Sequence, residues 1–160
     1  QGISGQTDKY TDIAFDLTYE RKFGTDLLSV HSTYIYEDQD LDASYVAGDS
    51  ENQSDDLNTF RLDANYYFDG SAVLSLAYFM IRGDSDDILY SPGQLDGSRN
   101  GSPDSDGLIA QVGYYPWQNL WLSLQYTAYF QFNGSSNDYD GFGRDASDNN
   151  TLYALIWLVW

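Results

Sequence analysis

Seven segments of this 160-residue chain alternate apolar and polar residues at a spacing of two, and the gaps between them are by turns short and long. Successive side chains of a β-strand point to opposite faces, so this spacing predicts strands. They run from Tyr10 to Phe23, Leu27 to Glu37, Asn58 to Phe68, Ala72 to Arg82, Leu108 to Trp117, Leu120 to Phe132 and Asn150 to Trp160. Tight turns fall at Gly24-Thr25-Asp26, at the Asp69-Gly70 hairpin signal and at Gln118-Asn119. The long gaps are Asp38 to Asp56, Gly83 to Asp106 and Asn133 to Asn149, and short strands within Ala43 to Ala47 or Asp87 to Ser91 remain open. Neighbours joined by tight turns pair antiparallel. The expectation is one all-β domain over residues 1–160, an up-and-down sheet of about seven strands.

Each strand has one apolar face. In the third, Phe60, Leu62, Ala64, Tyr66 and Phe68 alternate with Arg61, Asp63, Asn65 and Tyr67. In the first, Ile13, Phe15, Leu17 and Tyr19 oppose Asp12, Asp16 and Glu20; in the second, Leu28, Val30, Tyr34 and Tyr36 oppose Ser29, His31, Thr33 and Glu37. A face carrying Asp12, Asp16, Glu20, His31, Arg61, Asp63, Gln111 and Gln125 needs water on either assignment of the two faces, and the placement of the four tryptophans near the tight-turn end decides for an apolar face that meets lipid. The chain has 15 Tyr, a side chain suited to places with one apolar and one wet end. Strands of about 10 residues or more are long for a soluble sheet and fit tilted strands crossing a bilayer. Short periplasmic turns and longer extracellular loops are the rhythm of a transmembrane β-barrel.

The closing stretch NTLYALIWLVW has Leu152, Ala154, Ile156, Leu158 and Trp160 on one face and ends on an aromatic. It resembles the C-terminal strand of bacterial outer-membrane β-barrels, which the barrel-assembly machinery recognises by such a pattern. The resemblance implies the outer membrane, a lipid bilayer around the chain and a final strand ending on the periplasmic side. Trp117, Trp121, Trp157 and Trp160 would then lie at the tight-turn end as an interfacial girdle, with Tyr34, Tyr36, Tyr129, Phe130 and Phe132 at the other end. Counting back, the first strand also runs downward, from an extracellular Gln1. Single-chain bacterial barrels have even strand numbers and periplasmic termini, so seven strands are expected to be part of a larger barrel or to be completed by another segment. Gln1 opens with neither Met nor a signal-peptide pattern, which fits mature protein or a fragment.

The formal charge of −18 and only seven Lys and Arg exclude nucleic acid as a partner. Without Cys there is no haem-attachment CxxCH in the chain, so no cofactor is expected here and haem only through a partner or another segment. The long gaps hold most of the acids and only Arg99 and Arg144 of the basic residues, a cation-attracting vestibule or simply a solvated face. Calcium is the one metal suggested, by the alternating Asp38, Asp40 and Asp42, by the cluster of Asp84, Asp86 and Asp87 and by Asp104 and Asp106, since oxygen ligands suit it, but none completes the twelve-position calcium loop. Arg61 and Arg82 facing Asp12, Asp16, Glu20 and Asp63 across a lumen would set ion selectivity or make structural pairs. His31 shares a face with Ser29 but lies in no hydrolase motif, so no enzyme is expected. The tail NDYDGFGRDASDNNTLYALIWLVW is also loosely similar to porin-like barrels that pair with c-type cytochromes. The expected function is a porin-like channel preferring cations. The alternatives are a sheath for a cytochrome in electron transfer and a soluble β-sandwich binding or adhesion module.

Overall fold

The computed structural model describes Gly5 and residues 7–159. Seven strands, β1 (Lys9–Phe23), β2 (Asp26–Asp40), β3 (Ser54–Phe68), β4 (Ala72–Gly83), β5 (Ser105–Trp117), β6 (Leu120–Gln131) and β7 (Thr151–Leu158), form one antiparallel sheet in chain order. The type of every predicted element agrees with this. Their lengths differ at the long-loop end, where β2 and β3 continue past the predicted limits and pair Asp38 with Asp56 and Asp40 with Ser54. A short helix, α1 (Asp42–Ala47), and a turn around Asp87 to Tyr90 occupy the places where extra strands were open.

Local chemistry accounts for the turns. Asp69 and Gly70 both take positive φ (46° and 66°), as a two-residue hairpin turn between right-twisted strands requires. Pro116 cannot donate to the ladder, and the register shifts beside it, between Tyr114 and Trp117.

The register carries each apolar row across the whole sheet. One such row runs Tyr19, Val30, Ala64, Leu76, Ala110, Tyr126 and Leu152; the next runs Leu17, Ser32, Leu62, Tyr78, Leu108, Ala128. Leu17, Leu76, Val112 and Ile156 on this side are 71%, 54%, 52% and 76% exposed, whereas Val73 and Ala77 on the opposite side are 6% and 4% exposed. The sheet therefore curls with its polar side concave and its apolar side outward.

The sheet does not close within this chain: β1 and β7 are its two edges. In a meander, odd-numbered strands all run the same way, so β1 and β7 cannot form an antiparallel pair with each other. The expected barrel is thus an open sheet here. A sandwich fares no better, because the described residues contain one sheet and no second layer.

Among the described residues the largest fully buried side chains, Tyr139, Leu41, Asp86, Asp140 and Ser98, all lie in the loops. Asp86 accepts hydrogen bonds from the backbone N–H groups of Glu51 (2.8 Å), Asn52 (2.9 Å), Ile88 (2.9 Å) and Leu89 (2.7 Å), clamping the loop after β4 to the loop after α1. The loop after β6 joins through Arg99 Nη1 to Asp138 Oδ2 (2.7 Å), Ser98 Oγ to the Asn133 carbonyl (2.8 Å) and Tyr139 Oη to the Leu95 carbonyl (3.1 Å). Burial pushes the Asp86 carboxyl up, but these backbone donors outweigh it and hold it below its ordinary 3.8. Because the folded value is depressed, the clamp's contribution is complete above that ordinary value and disappears as pH falls through the folded one. Asp86→Ala leaves buried donors unpartnered, at about 1–3 kcal/mol for each that water cannot reach. The expected result is loss of hydrogen-exchange protection at Glu51, Asn52, Ile88 and Leu89, with β3 and β4 amides still protected.

Candidate functional site

The concave face gathers the polar residues of β1, β2 and β3 into one cross-strand network. Thr33 Oγ1 donates to Asp16 Oδ1 at 2.6 Å, and His31 lies between two carboxylates, with Nε2 3.4 Å from Asp16 Oδ1 and Nδ1 3.7 Å from Asp63 Oδ1. Asp63 in turn accepts from Arg61 Nε at 3.3 Å and from Asn65 Nδ2 at 3.0 Å. Asp12 and Glu20 lie on the same face, opposite Glu37 and Ser29, but take no part in the network.

Toward β4, β5 and β6 the network opens into a cavity of roughly 220 Å³. Arg61, Asp63 and Asn65 form one wall; Ser75, Gln111 and Gln125 form the other, as a polar row paired across three strands. Val73, Ala77 and Ile109 supply apolar patches, and Tyr67, Tyr115 and Trp121 lie at the tight-turn end. Tyr115 and Trp121 pack with ring centroids 4.1 Å apart. Beyond the cavity, toward the loops, Phe79, Tyr129, Phe132 and Tyr139 follow one another with edge-to-face contacts of 5.4, 5.2 and 4.9 Å.

Of the residues expected on the wet face, Asp16, His31, Arg61 and Asp63 meet, and Gln111 and Gln125 share their cavity. Arg82 does not. It alternates in step with Met80 and Tyr78 on the apolar side, at the loop end, where Nη2 binds Asp106 Oδ1 at 2.9 Å and Nε lies 3.8 Å from Asp104 Oδ2. Asp104 also accepts from Gly83 N at 3.1 Å, so the supposed calcium fragment serves as the counter-charge of Arg82. The alternating set disperses as well, Asp40 pairing with Lys9 at 3.3 Å and Asp42 accepting from Gln53 at 2.6 Å, while Asp38 faces Asp56. Among the described residues no group of three His, Asp or Glu is placed to hold a metal ion.

The tryptophan girdle also needs correction. Trp117, Trp121 and Trp157 do lie near the tight-turn end, and Trp160 is outside the described residues. Only Trp117 is on the apolar side, brought opposite Leu120 by the bulge at Pro116. Trp121 and Trp157 pair with each other in the concave row of Ser123 and Leu155. At the far end Tyr34, Tyr36 and Phe130 are on the apolar side, whereas Tyr129 and Phe132 turn inward. Sequence reasoning missed Trp121, Tyr115 and Ser75 as cavity residues. The two-residue step from Gln125 through Ser123 to Trp121 was the available signal.

The class that fold and site define is an antiparallel up-and-down sheet with a hydrogen-bonding cavity on its concave face. Compared with known proteins, the chain matches no family model, no curated protein and no solved structure.

Trp121 lies directly over Gly113, where an added Cβ would sit 1.8 Å from Trp121 Cη2. Gly113→Val is therefore expected to evict the indole, costing about 1–3 kcal/mol as overpacking does. In a chain with Trp117, Trp157 and Trp160 replaced by Phe, the check is red-shifted Trp121 fluorescence with easier acrylamide quenching.

Proposed function

We propose that this chain forms the wall of an outer-membrane, porin-like channel, its convex apolar face against lipid and its concave polar face toward an aqueous passage that prefers cations. One observation carries the reading: large apolar side chains cover the outside of the sheet while the charged network and cavity occupy the inside, the inverse of a water-soluble barrel. From Leu28 to Tyr36 on β2 and from Phe60 to Phe68 on β3, the apolar row holds no charged residue; charges flank it at Arg21, Asp26, Asp56 and Arg82. Nine residues rise about 27 Å along a strand, less once tilted, which suits an apolar band about 25 Å tall.

Closure in this reading comes from further strands between the β1 and β7 edges, odd in number so that every new pair is antiparallel. A lumen wall bearing Asp16, His31, Arg61 and Asp63 suits water better than a packed haem-protein guest. The acidic loops stand at the mouth and concentrate cations by their field.

Leu62→Arg and Leu124→Arg, both at mid-height on the convex face, test the lipid contact. Each is expected to destabilise the chain folded in bilayers by about 2–4 kcal/mol in a urea titration. A change within about 0.5 kcal/mol, as at an ordinary hydrated surface, overturns the membrane reading. With the closing strands present, the reversal potential across a salt gradient is expected to show cation preference, weakened by Asp38→Asn with Asp40→Asn. Anion preference overturns the selectivity reading.

A further inference from the structure

We propose that the concave cavity is a binding site for a small carboxylate-bearing solute, with the Arg61 guanidinium as its anchor. The proposal deepens the channel reading by naming what the passage would hold, but the cavity belongs to the sheet itself. Arg61 spends Nε on Asp63 and hydrogen-bonds no described residue through its two Nη atoms. Asp63, the one carboxylate among the lining residues, is already engaged at both oxygens, by Arg61 at Oδ1 and by Asn65 at Oδ2. It orients the guanidinium without occupying its outer edge.

The other polar groups that line the cavity are free to donate to a ligand. Trp121 can only donate; Ser75, Tyr67, Gln111 and Gln125 can donate, and none of the five is hydrogen-bonded to a described residue through its side chain. A free cationic fork among unpartnered side chains that can all donate complements a group that accepts several hydrogen bonds and is planar with two oxygens. A carboxylate meets both conditions, and the guanidinium fork binds it bidentately. Roughly 220 Å³ is below the about 300 Å³ at which drug-sized pockets begin, so the solute is of acetate or amino-acid size. Val73, Ala77 and Ile109 give its aliphatic part a dry flank.

The test uses the full chain in detergent micelles, with side-chain amide signals of Gln111 and Gln125 and the Trp121 indole N–H followed by NMR. Sodium acetate and glycine are each titrated against sodium chloride, methylammonium chloride and glucose at constant ionic strength. Saturable shifts with acetate and glycine are expected, weakened about tenfold in Arg61→Lys, which keeps the charge but loses one charge-assisted bond. Gln125→Leu, which leaves the Asp63 network intact, is expected to weaken them as well. No shift with acetate while backbone amides stay dispersed overturns the proposal, as does an equal response to chloride or glucose. Failure of the membrane reading shows separately, as a chain that stays folded in water without detergent.

Discussion

Everything in this molecule depends on which way the sheet bends. A curled sheet crowds side chains on its inside and spreads them on its outside, and the residues sort accordingly. The inner rows of β4 and β5 pair Val73 with Gly113, Ser75 with Gln111, Ala77 with Ile109 and Phe79 with Gly107, so that a larger side chain meets a small one, while the outer rows pair Leu74 with Val112, Leu76 with Ala110 and Tyr78 with Leu108. At Gly107 even a Cβ would lie 2.2 Å from the Ala128 carbonyl oxygen and 2.9 Å from the Phe79 ring. Small residues inside let Trp121 and Phe79 lie flat over the backbone, and the space left between those aromatic ends is the cavity. Curvature, cavity and outward apolar face are one property seen three ways.

That curvature makes the edges consequential. β1 and β7 present unpaired backbone donors and acceptors, and β1 is exposed along all 15 residues. Long unpaired edges invite strand addition. Since β1 and β7 run in the same direction, two copies of this sheet joined edge to edge around a common axis would pair them in parallel. Every other pair in the sheet is antiparallel. An intervening odd set of strands preserves the ladder geometry throughout, which is why the channel reading calls for one.

Much of the fold was legible because period-two alternation in β1, β2, β3, β5 and β6 is nearly unbroken. The concave positions of Asp16, His31, Arg61, Asp63, Gln111 and Gln125 follow from the same count. Arg82 was misplaced because its charge suggested the wet face, whereas its step from Met80 puts it on the other; at the loop end a charge is tolerated on either side. Trp117 and Trp121 show the opposite fault. Both were grouped by height along the strand, but a bulge at Pro116 turns one outward and simple alternation turns the other inward. The loop architecture was not legible at all. Asp86 binds residues 34 and 35 positions away, and Tyr139 reaches Leu95 across 44, separations over which composition carries no information.

The same loops explain how an acidic rim can steer without binding. Asp86 and Asp140 are fully buried, and despite desolvation, which raises their pKa, backbone donors keep both below the ordinary carboxylate value. They stay charged, so their monopoles still contribute to the field felt at a distance. Close by, backbone N–H groups occupy both oxygens of Asp86, whereas Asp140 takes those of Phe142 and Arg144 on Oδ1 and its buried Oδ2 has no partner among the described residues. Asp104, Asp106 and Asp138 are similarly turned toward Arg82 and Arg99. The field beyond a Debye length of about 8 Å is screened at physiological salt, so in the channel reading proposed above the rim would act on cations only near the mouth. Inside, in that reading, Arg61 keeps both Nη atoms free of described partners beside an Asp63 whose two oxygens are hydrogen-bonded. The two proposals, attraction of cations at an entrance and capture of a carboxylate within, are compatible, because they act at different ranges and on different ends of a zwitterion.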